Sequence, residues 1–116
     1  MKYLSDYLEP ELKVLYKKHD AFYAFNINQY EAEAKPGVDY VSLGFGLHVA
    51  RTNVEAFKSD YTEVLKKCIA QDIEENGKVN VIRREYNNYE YDIHETISAL
   101  RGYPITDDEI RKECWG

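Results

Sequence analysis

The sequence predicts an α+β fold, a small sheet of two or three strands packed by a long antiparallel helical hairpin and short flanking helices. Three observations lead there. Two long stretches, 54–76 and 80–101, carry apolar residues at helical spacing. Between residues 21 and 50, short aromatic and β-branched runs are separated by Gly and Pro turn signals. The chain has 116 residues, 44% of them apolar, enough for a single domain over 1–116 to bury a core without disulfide or metal support.

The elements follow in order. A first helix is expected from Ser5 or Glu9 to Lys18, with Pro10 in its first turn and Leu8, Leu12, Leu15 and Tyr16 at helical spacing. Ala21–Asn26 (AFYAFN) reads as a strand. Residues 26–34 (NINQYEAEA) read as a short helix ended by Lys35-Pro36-Gly37. Residues 38–50 (VDYVSLGFGLHVA) alternate as two strands, with Gly44 and Gly46 marking a bend or tight hairpin.

Thr52 or Asn53 caps the next helix, whose stripe holds Val54, Phe57, Tyr61, Val64, Leu65, Cys68, Ile69 and Ile73, and Asn76-Gly77 ends it. Ile82, Tyr86, Tyr89, Ile93, Ile97 and Leu100 then fall within about 80° of arc on a helical wheel. That predicts one core-facing helix over 80–101, folded back on 54–76 through the short connection at 78–80. Thr106-Asp-Asp-Glu109 is a capping box opening a last short helix, in which Trp115 either shares a buried face with Ile110, the favoured reading, or serves as a contact near the C-terminus.

Charge and composition exclude several classes. The formal net charge is −6, and the pairs Lys17-Lys18, Lys66-Lys67 and Arg83-Arg84 are each mixed with acids, so no basic face for direct nucleic-acid binding is expected. No apolar run approaches the ~20 residues needed to cross a bilayer, so no membrane partner is expected. The opening MKYLSDYLEPEL sets acids and a proline where an export segment is apolar, which points to the cytoplasm. Cys68 and Cys114 lack CxxC partners and read as reduced thiols.

No catalytic constellation assembles. Gly44-Phe45-Gly46 lacks the third glycine and following helix of a phosphate-binding fingerprint. Ser42, Ser59 and Ser98 sit in no nucleophile elbow, and Cys68 lies on an apolar stripe. Glu90 and His94, spaced i, i+4, are a metal or acid–base candidate with Asp72 or Glu75 on the preceding helix as nearest further ligand, and equally a surface ion pair. No cofactor or metal is therefore assigned, and the metal- or ligand-dependent enzyme stands as the alternative.

Eleven tyrosines suit half-buried positions and interfaces alike. Tyr91 points about 180° from the stripe beside Asn87 and Asn88. The expected contact residues are Asn87, Asn88, Glu90, Tyr91, His94 and Trp115.

AFYAFN with the following Gln29, YVSLGFGL, NV…CIAQDIEENGK and VIRREYNNYE together resemble an uncharacterised family of small bacteriophage and prophage proteins, over roughly residues 1–100. The family carries no known activity and so marks no catalytic residue. The resemblance implies a phage or mobile-element product acting in a bacterial host's cytoplasm, where small acidic products are often inhibitors or adaptors of host proteins, defence systems included. The expected function is thus binding of a host or bacterial protein, anti-defence inhibition being one form of it. A homodimeric adaptor is a further alternative.

Overall fold

A computed structural model describes residues 1–116. The elements run α1 (Leu4–Lys18), β1 (Phe22–Tyr23), α2 (Ile27–Glu33), β2 (Tyr40–Ser42), β3 (Leu47–Ala50), a 3-10 turn (Arg51–Asn53), α3 (Val54–Asn76), α4 (Lys78–Asn88), α5 (Ile93–Ala99) and α6 (Asp107–Trp115). Six helices and one small antiparallel sheet make the fold α+β. The chain forms two compact units, one of residues 8–65 and one joining 1–7 to 66–116.

The 8–65 unit is built on the sheet, in the order β1-β3-β2, with Phe22 opposite His48, Tyr23 opposite Leu47 and Val41 opposite Val49. Side-chain alternation gives the sheet two apolar faces. On one, Val49, Leu47 and Leu43 pack with Leu12, Leu15 and Tyr16 of α1 and with Val54 and Phe57 of α3. On the other, Tyr30 of α2 lies against His48 and Tyr40 at ring-centre distances of 5.2 and 6.1 Å, and Phe22 stacks on His48 at 5.5 Å. Asn26 caps α2 by accepting from the Gln29 N–H at 2.9 Å, and Gln29 Oε1 accepts from the Phe25 N–H at 2.7 Å. Within this unit α1 and the first turns of α3 cover that face of the sheet, because the large apolar side chains at 12, 15, 54 and 57 face it.

In the other unit, Tyr7, Cys68, Ile69, Val81, Ile82, Ile93, Leu100, Tyr103 and Ile110 are buried, and α4, α5 and α6 pack on one another. The segment 80–101 is two helices, not one. The Tyr91 N–H donates to the Tyr86 carbonyl at 2.8 Å and the Glu90 N–H to the Asn87 carbonyl at 3.2 Å, the paired closure that ends a helix in a left-handed residue. Here that residue is Glu90, at φ 54°, and Tyr91 follows at φ 67°. Asp92 then caps α5, accepting from the Glu95 N–H at 3.0 Å. Two asparagines with poor helix propensity and a cap residue won over the helical spacing of the apolar stripe.

Two further expectations are corrected. Helix α1 starts at Leu4, because Asp6 accepts the Tyr3 N–H at 2.8 Å, so Pro10 sits inside the helix and not in its first turn. The Thr106–Glu109 capping box is present, but of the two α6 residues only Ile110 is buried, while Trp115 is 64% exposed. Five residues along a helix turn the side chain about 140° away, off the buried face.

Candidate interaction surface

The deepest polar cluster is structural. Asp72 is 0% exposed and accepts from Arg84 Nη1 at 2.8 Å and Nη2 at 2.9 Å, from Asn76 Nδ2 at 2.8 Å and from the Tyr103 hydroxyl at 2.5 Å. Arg84 also donates to the Lys2 carbonyl and to Glu85, each at 2.9 Å. Burial alone would raise the Asp72 carboxyl, but the bonds from Arg84, Tyr103 and Asn76 more than offset it and hold it below the usual carboxylate range. Burial and then Asp72 push the Tyr103 phenol up.

That arrangement overturns the proposed Asp72–Glu90–His94 metal set. The Asp72 oxygens are saturated by donors, Glu90 is in the left-handed turn and His94 is on the next helix, so their helical register is broken. Nowhere do three His, Cys, Asp or Glu side chains gather as a metal site. Cys68 is buried and its thiol donates to the Tyr7 carbonyl at 3.5 Å.

The expected contact residues fall on two places. Asn87, Asn88, Glu90 and Tyr91 lie on one exposed turn, with His94 exposed on the first turn of α5. The Tyr91 ring is 66% exposed and meets Tyr86 edge-on at 5.3 Å. Asn88 also lines a cleft of ≈ 410 Å³ with Tyr3, Tyr89 and Tyr103. Trp115 stands apart, on the last turn of α6.

A second surface lies in the 8–65 unit, in residues that apolar periodicity alone does not mark as a contact. The loop between β2 and β3 is closed by the Leu43 N–H on the Leu47 carbonyl at 2.8 Å and the Leu47 N–H on the Gly44 carbonyl at 3.0 Å. Gly44, Phe45 and Gly46 all have positive φ, 94°, 53° and 82°. Glycine adopts this region freely, whereas a bulky residue is strained there. Phe45 is nevertheless 97% exposed. Beside it, the 72% exposed Phe25 lies over Gly46, where an added Cβ would come within 2.5 Å of its ring. Phe25 stacks on Tyr23 at 6.2 Å, and Ile27 is exposed just beyond. The signal was legible as an aromatic residue fixed between two glycines, a place where no core position needs one.

The sequence pattern of one known family, described as a family of unknown function (DUF7659), matches residues 4–114. No curated protein and no solved structure matches the chain. No helix is long and apolar enough to cross a membrane.

Proposed function

We propose a protein-binding role, taking as premise that the chain belongs to DUF7659, a family whose own function is unknown. The reading rests on one observation. Phe45 holds a fully exposed benzyl ring in a backbone region that disfavours it, so the ring contributes no burial and its conformation costs about 1–2 kcal/mol. Strain without a packing return is the mark of a residue kept for a contact outside the chain. Phe25 and Ile27 widen that contact into an apolar patch on an acidic protein. In a phage setting the partner is a host or bacterial protein, and inhibition of a defence protein is one form the contact takes.

The test compares wild type with Phe45→Asn and Phe25→Ser as tagged baits in a bacterial lysate. Asn tolerates the left-handed region, so the first variant is expected to be at least as stable as wild type while losing the stoichiometric partner that wild type retains. Recovery by either variant equal to that by wild type, or none by wild type, contradicts the reading.

A further inference from the structure

Beyond the hairpin tip, and independent of it, the 8–65 unit carries a solvent-open groove of ≈ 500 Å³ walled by Tyr16, Tyr23, Tyr61 and Leu47, floored by Phe57 and edged by Lys58. Tyr16 meets Tyr23 edge-on at 5.5 Å and stacks on Phe57 at 6.2 Å, and Phe57 lies 6.2 Å from Tyr61. The walls are therefore ring faces and edges spaced to receive another ring. The Tyr16 and Tyr23 hydroxyls are 3.0 Å apart. One donates to the other, which leaves the second with its O–H free to donate outward. Burial and then the Tyr23 bond push the Tyr16 phenol up, so it stays a donor.

The groove's charge selects among aromatic guests. Its lining contains Lys58 and no Asp or Glu. Ring faces attract cations, but an ammonium at the rim opposes one. The favoured guest is an aromatic side chain with a carboxylate next to it.

The chain itself displays such a group. Tyr91 is exposed at 66%, is flanked by Glu90 and Asp92, and is raised on a turn where both Glu90 and Tyr91 are held at positive φ. Two consecutive non-glycine residues in that region are costly, and within its own unit the ring they project makes an edge contact with Tyr86 alone. The geometry points to a second copy of this chain as the occupant: the Glu90–Tyr91–Asp92 turn of one copy enters the tyrosine groove of another, Tyr91 between the rings and Glu90 or Asp92 against Lys58. The contact joins different surfaces on the two copies, so it is heterologous.

Sedimentation of the full chain from 10 µM to 1 mM tests this. Wild type gains mass above the monomer. Tyr91→Ser and Lys58→Glu, both at exposed positions, each weaken association about tenfold, the scale of losing one aromatic anchor or reversing one rim charge. An equimolar mixture of the two variants gains more mass than either alone at the same total concentration, because Lys58→Glu keeps an intact turn and Tyr91→Ser an intact groove. Phe45→Asn associates like wild type. Persistent monomer at 1 mM overturns the proposal, as does association that neither variant weakens or that depends on Phe45.

Discussion

At the scale of single residues, Arg84 carries the largest expected effect. It is buried, bonds Asp72 through both terminal nitrogens and ties α4 to the end of α3. Arg84→Met leaves a buried carboxylate without its counter-charge, an expected loss of about 3–5 kcal/mol in denaturant unfolding. Adding Asp72→Leu restores much of it, because two apolar groups then replace an ion pair. The pH dependence follows from the direction of the Asp72 shift. With the folded value depressed, its contribution is present above the ordinary carboxylate range near ~3.9 and is lost as pH falls through the depressed value. In Arg84→Met, burial governs instead and the folded value rises. The stability gap between wild type and variant should therefore narrow as pH drops from 7 towards 4. A gap that stays constant would contradict the assignment. Asp60, held low first by the His19 bond at 2.7 Å and then by Lys18 at 2.9 Å, adds an acid-sensitive contribution of the same sign.

At the scale of elements, caps and turns decide what apolar spacing cannot. The stripe from Ile82 to Leu100 suggests one helix, and Ile82, Ile93 and Leu100 are indeed buried. The break sits where Asn87, Asn88 and Asp92 offer the backbone other partners. Polar side chains that end a helix leave the apolar periodicity on either side intact, so periodicity alone misses them. Asp92→Ala is expected to lose about 1 kcal/mol, read as a lower unfolding midpoint. Glu90→Gly is expected to gain about 0.5–1 kcal/mol by relaxing the left-handed position, and a loss there would argue against the turn as described. In the hairpin, Gly46→Ala places a methyl against the Phe25 ring in a backbone region alanine avoids. It should lower stability by about 1 kcal/mol and displace Phe25.

At the scale of the whole molecule, the order of elements was readable because each announces itself locally. Thr106 with Glu109 starts one helix and Asn76-Gly77 ends another, both by cap chemistry. The pairing of the sheet with α1 and α3 was not readable, since it depends on which apolar faces meet at long range, and several were available. The same limit applied to function. The exposed turn at 87–91 could be found by its angle on a wheel, whereas the patch at Phe25 and Phe45 needs the hairpin closed to bring residues twenty apart together. On the proposed reading, Phe45 serves an external contact at the expense of the fold. Capture of a bacterial partner by Phe45→Asn, beside its unfolding midpoint, tests that most directly. The expected result is a variant at least as stable as wild type that retains under about a tenth of the partner, an anchor residue's share of affinity. A variant that loses stability, or that keeps its partner in full, would contradict it.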